Sequence, residues 1–352
     1  MSRPLVTINL VILNGEKYIR RCLDSVLAQT YPHELIEFNI LDNDSTDNTK
    51  EMIDGFKFQV SSFKVFNFVE SKVNLGMWPG QEKLLKDSAG KYVVVLAVDV
   101  ILDENFLHNA VRAMEKDDKI GALQPKIYSY NLRDLETVNY KLETRVIDTC
   151  GFEIFKSRRI INIGNGEKDE GQFGQEKEIF AVEGAVPVFQ KDALEGSRVT
   201  GEIIDPDYFW YSDDLDIAWR MRVFGWKQLF APDVIAWHDR QTSKSKAVGG
   251  WWWSHLPRVK ERQQIPIKKR GLEWRNTRFT VIKNDYTINI LKDLPQILWR
   301  EIMVLGYTIL FEPEVFLQVP IFFKLLPKML RKRRAVMKRR VSSPEEMRRW
   351  LI

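Results

Sequence analysis

Leu5 to Leu13 is a near-continuous apolar run rich in Val and Ile, the pattern of a strand buried on both faces. Asn14-Gly15 breaks it. Between Glu16 and Ala28, the residues Ile19, Cys22, Leu23, Val26 and Leu27 share one stripe at helical spacing, which predicts a helix facing a core. Ile36 to Leu41 predicts a second strand ending at Asp42, Phe63 to Val69 a third, and Lys91 to Leu96 a fourth. Gly80 to Ser88 predicts a helix, and Asp103 is placed to cap another that reaches about Glu115. Such alternation predicts an α/β fold with parallel strands and right-handed crossovers. Ligands of these sheets sit beyond the carboxyl ends of the strands. Asn14, Asp42 and Asp99 each fall at such an end, which predicts one shared site.

Residues 120 to 200 are mixed in pattern. Gly164 to Lys177, rich in glycine and charge, predicts an exposed loop, and Val182 to Phe189 a strand. The block from Asp205 to His238 then changes character. The aromatic run Tyr208-Phe209-Trp210-Tyr211 meets Asp213, Asp214 and Asp216 at a helix start. Arg220 follows one turn later and is placed to pair with Asp216, Gly225 reads as a stop, and a strand pattern closes on His238. Crowding three carboxylates raises their mutual repulsion, which a fold tolerates mainly where a site uses it.

After His238 the composition shifts. Trp251-Trp252-Trp253 precedes a basic stretch from Arg258 to Arg278. Ile297 to Phe311 and Val315 to Leu326 are apolar but interrupted by Arg300, Glu301, Glu312, Pro313, Glu314, Pro320 and Lys324. No run reaches the ~18 to 20 apolar residues of a spanning helix. Ten basic residues against Glu345 and Glu346 fill Leu326 to Ile352, so the net charge of +5 is a mildly acidic body with a basic tail. Together these features predict helices lying in a membrane interface, at the surface of the membrane and not across it. The aromatic and apolar neighbours of the basic residues favour that reading over nucleic-acid binding.

At 352 residues and 44% apolar composition, the chain suits one large domain with an appendage. Two cysteines, Cys22 and Cys150, without paired spacing argue against a disulfide framework or a zinc knuckle, and point to a reducing compartment. Met1 to Pro4 runs straight into a strand pattern, so no signal peptide is expected.

The Asp205–His238 block resembles the acceptor-side motif of family 2 glycosyltransferases, the inverting GT-A enzymes. There an acidic pair precedes a third Asp, an Arg, a Gly-Trp and a His. Asp42-Asn43-Asp44-Ser45, Asn14, Asn74-Leu75-Gly76 with Gly80, and Leu96-Ala97-Val98-Asp99 are similar to that family's donor-side segments. The resemblance implies a GT-A, Rossmann-like mixed sheet flanked by helices over residues 1–240, and a helical, basic, membrane-interface region over 241–352. It implies Asp214 as general base, with Asp213, Glu183 and Trp226 as acceptor contacts, although Trp226 by itself reads first as a core aromatic. Asn14, Asp42, Asn43 and Gly76 would hold the nucleotide. Asp99 and His238 would hold a divalent cation, Mn²⁺ or Mg²⁺, an imidazole suiting Mn²⁺ better. Ala97 and Val98 replace the other positions of the metal motif.

The tail, through Arg275-Asn276-Thr277-Arg278, Lys283-Asn284 and Lys332-Arg333-Arg334, is similar to bacterial rhamnosyltransferase-like enzymes of surface polysaccharide synthesis. Taken together, the expectation is inverting transfer of a sugar, rhamnose among those implied, from a dTDP- or UDP-sugar. The acceptor would be a hydroxyl of a lipid-linked or polysaccharide glycan at the cytoplasmic face of the membrane. Ala97 and Val98 motivate the alternative, a catalytically inactive nucleotide-sugar-binding protein.

Overall fold

Four strands of the first third, β1 (Val6–Ile12), β2 (Ile36–Asp42), β3 (Val65–Glu70) and β4 (Tyr92–Leu96), lie parallel in the order β4–β1–β2–β3. They belong to a computed structural model that describes residues 3–133, 144–240, 262–263 and 265–352. The Trp251–Trp253 triplet and the start of the basic stretch at Arg258 lie outside the described residues. β1, β2 and β4 are buried along their whole length, as their apolar runs require. Along β4 the side chains alternate between two cores: Tyr92, Val94 and Leu96 join one, Val93 and Val95 the other. Three asparagines at matching register, Asn9, Asn39 and Asn67, pass a hydrogen bond across β1, β2 and β3 at 3.0 and 2.8 Å. Asn9 passes it on to the Ser88 hydroxyl at 3.0 Å.

The crossovers are α1 (Ile19–Leu27), α2 (Thr49–Phe56) and α3 (Met77–Leu85), with α4 (Phe106–Met114) following. α3 starts three residues before the expected Gly80, because Pro79 is tolerated in a first turn where its missing N–H has no partner to lose. α1 starts at Ile19, three residues after the expected Glu16. Asp103 accepts from the Asn105 N–H at 2.9 Å and so shapes the turn ahead of α4.

Past β4 the sheet becomes mixed. β5 (Val100–Leu102) and β7 (Ile147–Thr149) add short pairings to a longer path that includes β6 (Ile120–Ser129). β8 (Phe152–Ile154) and β9 (Ile160–Asn162) form a separate hairpin. β10 (Lys177–Glu178), β11 (Val188–Gln190) and β12 (Lys227–His238) complete the order β10–β12–β6–β11–β4–β1–β2–β3. β11 is antiparallel to both β4 and β6, while β12 runs parallel to β6. The strand expected over Val182–Phe189 therefore shrinks to its last residues. Upstream, the Val182 and Glu183 N–H groups donate to the Gln228 and Gln124 side chains at 2.9 and 2.7 Å, where a ladder would have used a neighbouring strand. Gly164–Lys177 is a mostly exposed loop, pinned where Lys126 meets Asp169 at 2.8 Å.

α5 (Lys191–Gly196) and α6 (Asp213–Val223) precede β12, and the rest is helical: α7 (Ile267–Asn284), α8 (Thr287–Lys292), α9 (Leu294–Phe311), α10 (Gln318–Lys338) and α11 (Pro344–Arg348). The 240/241 division is one of composition and not of packing. Tyr286, Val336, Met347 and Leu351 belong to the same core as Val93 and Phe189. The basic tail also differs from a purely surface-facing one. Lys332 meets Asp205 at 2.6 Å, Lys328 meets Asp207 at 2.7 Å, and Arg348 meets Asp293 at 2.6 Å. Arg333 donates to the Ile282 and Asp285 carbonyls at 2.6 Å. Among the described residues no helix is long and apolar enough to cross a membrane. α9 nevertheless leaves Leu298, Trp299, Ile302, Met303, Ile309 and Leu310 exposed, and Thr308 is its one buried residue.

Candidate active site

Because β1, β2, β4, β6 and β12 all point the same way, their carboxyl ends form one edge of the sheet. Asn14, Asp42 and Asp99 lie on that edge, as the first-half pattern predicts, and His238 joins them at the end of β12. The Asp239 N–H donates to the Asp99 carbonyl at 3.1 Å, so the turn after β4 and the end of β12 are joined through the backbone.

His238 Nε2 lies 3.4 Å from Asp99, and its Nδ1 lies 2.9 Å from Asp148. Burial opposes charge on this imidazole, but the carboxylates of Asp99 and Asp148 outweigh it and hold the ring protonated up to about pH 10. Asp148 in turn lies 2.9 Å from Arg240, which reaches Glu183 at 2.8 Å. Burial pushes the Asp148 carboxyl up, yet Arg240 and His238 bring it below its ordinary value. The next residue after Glu183 completes the chain of contacts, since the Gly184 N–H donates to Asp214 Oδ2 at 3.0 Å. A Cβ on Gly184 would sit 3.0 Å from the Asp214 carboxylate, so glycine permits this close approach. One network thus runs Asp99–His238–Asp148–Arg240–Glu183, and ends beside Asp214.

The three acids at the start of α6 occupy three different environments. Asp216 is consumed by the fold: it binds Arg220 at 2.9 Å, Lys283 at 2.8 Å and Asn284 at 2.7 Å. Asp213 is only 2% exposed, its Oδ2 lacks a hydrogen-bond partner among the described residues, and burial followed by the neighbouring Asp214 charge pushes its carboxyl well above the usual range. Asp214 is half-buried. Burial and then Glu183 push it up to about 7, while the Leu215 and Gly184 N–H groups and Arg240 pull the other way. A carboxylate poised near neutrality can accept a proton from a substrate hydroxyl. The repulsion implied by the sequence is thus met by pairing Asp216 with cations and by burying Asp213, where its charged form is disfavoured.

At the other end of the edge, Asn14 accepts from the Thr46 N–H at 2.8 Å, in a left-handed conformation at φ 51°. Asp42 is fully buried. Its Oδ2 lies 3.2 Å from the Ser45 N–H, and its Oδ1 has no hydrogen-bond partner among the described residues. Asn43 spends its amide internally, donating to Asn74 Oδ1 at 3.0 Å and to the Gly76 carbonyl at 3.2 Å, and accepting from the Leu75 N–H at 2.8 Å. It therefore shapes the 74–76 turn. Gly76, at φ +91°, backs onto the Phe209 carbonyl so closely that a Cβ would lie 2.6 Å from it. This contact brings the Asn43 turn against the aromatic loop that leads into α6.

That loop is strained. Phe209, Tyr211 and Ser212 all have left-handed φ values, 62°, 76° and 61°. Such geometry costs on the order of 1–2 kcal/mol per non-glycine residue and persists only where the surroundings over-determine it.

Two of the expected acceptor contacts are placed differently. Trp226 precedes β12, whose first residue Lys227 pairs with Ile120 at the start of β6, so it sits at the opposite edge of the sheet. Its ring lies over Lys119 and packs by Gly121 and Ala193, the core-aromatic alternative. A twelve-residue strand separates it from the site, roughly 30 Å or more. Asp213, sealed by its burial, is likewise not presented to an incoming acceptor. Conversely, Arg240 and Asp148 join the site without having been expected. Arg240, two residues past His238, was within reach of a strand-end argument. Asp148 lies in a stretch without periodic signal.

Residues 7–175 match the sequence profile of Glycosyl transferase family 2. Among curated proteins, the chain is 28% identical over 114 residues to the glycosyltransferase GlyG of Streptococcus pneumoniae, covering 32% of this chain and 36% of that protein. It is 27% identical over 124 residues to the poly(ribitol-phosphate) beta-glucosyltransferase of Bacillus spizizenii, covering 34% and 19%. The chain spans about a third of the length of the first curated relatives it matches. Among solved structures, the mannosyltransferase PcManGT from Pyrobaculum calidifontis, in complex with GDP-Man and Mn²⁺, superposes with a TM-score of 0.50 at 16% identity, covering 96% of this chain and 86% of that one. S. aureus TarS 1–349 in complex with UDP superposes with a TM-score of 0.50 at 10% identity, covering 95% and 90%. These likenesses show the fold, the GT-A-type mixed sheet flanked by helices.

Proposed function

We propose, from the match of residues 7–175 to the profile of Glycosyl transferase family 2, that the chain transfers a sugar, with inversion, from a nucleoside-diphosphate donor to an acceptor hydroxyl. The observation that carries this reading is the single network on the carboxyl edge, with the Asp99–His238 pair at one end and Asp214 beside the other. Asp214 accepts the hydroxyl proton as the acceptor oxygen bonds to the anomeric carbon from the side opposite the diphosphate. The bond from that carbon to the phosphate oxygen breaks, and the nucleoside diphosphate leaves. Arg240 favours the ionised form of Asp214 and fixes Glu183 at the acceptor side. Asp42, fully buried, supports the nucleotide side from behind by holding the Ser45 N–H, with Asn14 and Gly76 shaping the turns beside it.

Asp99 and His238 fit a Mn²⁺ or Mg²⁺ ion. Asp148 fixes His238 through Nδ1 and leaves Nε2 directed at Asp99, the arrangement in which a ring is oriented for a metal. No cluster of three or more such donors occurs among the described residues, which suits a cation completed by substrate phosphates and water. When bound, the ion would neutralise the departing diphosphate.

The donor class follows the neighbouring structures, one holding GDP-Man and one UDP. A dTDP- or UDP-sugar, rhamnose included, and a lipid-linked or polysaccharide glycan acceptor are the finer assignment. The exposed apolar face of α9, continued by Leu317 and Phe323 and flanked by exposed Lys324, Arg331 and Arg334, suits the surface of an anionic membrane. We place the enzyme peripherally at the cytoplasmic face, without a nucleic-acid partner.

The reading is tested by thermal shift with UDP-, dTDP- and GDP-sugars, with Mn²⁺ or Mg²⁺, followed by transfer assays with the donor that binds. One nucleotide sugar should raise the melting temperature by several degrees, and the cation-dependent part should vanish in Asp99→Asn. Absence of any shift would overturn the donor assignment, and binding without product would point to the inactive binder that Ala97 and Val98 suggest. The membrane assignment is tested by flotation with vesicles containing phosphatidylglycerol. The parent chain should float, and Trp299→Glu/Ile302→Glu/Leu310→Glu should stay at the bottom of the gradient. Equal flotation removes the interface from α9.

A further inference from the structure

We infer that Asn276, in α7, is a positioning residue for the base Asp214, so that the C-terminal helices are a working part of the active centre. This rests on the reading of Asp214 as the base. Asn276 is fully buried, and its Nδ2 lies within hydrogen-bonding distance of three backbone carbonyls of the strained loop: Tyr208 at 3.0 Å, Trp210 at 2.8 Å and Tyr211 at 2.9 Å. Its Oδ1 accepts from Arg275 Nε at 3.0 Å, which fixes the amide orientation, and Arg275 donates onward to the Asp207 carbonyl at 2.9 Å. Thr277 shares a hydrogen bond with the Ser212 hydroxyl at 3.1 Å. Ser212 is the residue immediately before α6 and accepts the Asp216 N–H at 2.9 Å. The clamp therefore acts on the last residues before the carboxylate at position 214.

Left-handed residues relax unless held, and Phe209, Tyr211 and Ser212 are held here by α7 and by Gly76. Without the amide, the loop carbonyls lose their buried donor, and the register of the first turn of α6 is no longer over-determined. Asn14, Asp42 and Asp99 stand at or just past the ends of β1, β2 and β4, and the donor side meets the loop through Gly76 at the Phe209 carbonyl, which is not one of the carbonyls Asn276 holds. A buried amide retained only for packing would affect stability alone, whereas a positioning amide affects turnover.

The test uses full-length chain with the donor found by thermal shift. Asn276→Ala, assayed well below its melting temperature, is expected to lower kcat at least 20-fold with KM for the donor within threefold and the donor-induced thermal shift retained. Phe209→Gly relieves one left-handed residue without touching the Ser212–Thr277 bond, so the double variant Asn276→Ala/Phe209→Gly is expected to recover at least fivefold of the lost kcat. A folded Asn276→Ala with kcat within threefold of the parent, or no recovery in the double variant, overturns the inference. If Asn276→Ala does not fold, Thr277→Val serves in its place. A kcat loss of threefold or more at unchanged donor KM supports the clamp, and a smaller loss overturns it. Turnover retained in Asp214→Asn would remove the base itself. Loss there combined with an unaffected Asn276→Ala would remove only the clamp.

Discussion

Replacing Asp214 with asparagine is expected to lower turnover by roughly 10²–10⁴-fold and, at the same time, to raise the melting temperature at pH 8. Both effects come from one environment. Burial and the Glu183 charge lift the Asp214 carboxyl from 3.8 to about 7 in the folded chain. The folded state therefore holds this proton more tightly than the unfolded chain does. Its contribution to stability is fully present below about pH 4 and is lost as pH rises through about 7, where the folded protein must carry a charge it disfavours. An amide carries no such charge. The gain at pH 8 should be on the order of 1–3 kcal/mol, at about 1.4 kcal/mol per pK unit reduced for partial exposure, which is a few degrees in melting temperature. At pH 4 the gain should vanish. In the parent, kcat/KM should fall on the acid side with an apparent pKa near 7. Scanning melts at pH 4 and 8 alongside a transfer assay would decide the matter. A variant that keeps transfer within tenfold of the parent, or is less stable at pH 8, would refute the assignment.

Lys283→Ala is expected to be the most damaging single change away from the chemistry. Its ammonium lies 2.6 Å from Asp205 and 2.8 Å from Asp216, with all three side chains at 1–2% exposure. Removing it strands two buried carboxylates, with a typical cost of ~3–5 kcal/mol. Lys332 and Arg220 still serve one acid each, so the loss should fall within that range and not above it. Burial pushes Asp205 up, but Lys283 and Lys332 hold it well below the usual carboxylate range. A depressed carboxyl stabilises above the unfolded value near 4 and ceases to do so as pH falls through the folded value. The cost of Lys283→Ala should accordingly be largest at neutral pH and shrink toward pH 3. Urea denaturation at pH 7 and pH 4 measures this. A difference under 1 kcal/mol at pH 7 would mean the ammonium adds nothing net.

Much of the donor side was legible because strand ends can be read from where apolar runs stop. Asp42 and Asp99 follow such runs, and the Asp216–Arg220 pair follows helical spacing. The acceptor side was less legible. Arg240 meets Asp148 and Glu183, partners 92 and 57 residues away, and no local pattern encodes such pairings. Trp226 illustrates the opposite failure. Family resemblance pointed to the acceptor, while its place just before a strand already fixed the far edge of the sheet. The basic tail misled for another reason: charge counting gives no direction, and Lys328, Lys332, Arg333 and Arg348 are held by partners within the chain.

The asparagine row across β1, β2 and β3 has a consequence for assembly. Apolar side chains alone would let three parallel ribbons slide past one another by two positions and still bury their oily faces. Each amide, however, finds its mate only at one alignment, and a sidestep would leave carboxamides facing hydrocarbon. The row works like notches on a key. It makes every misthreaded version of this parallel part of the sheet more costly than the correct one, before any ligand is present to choose between them.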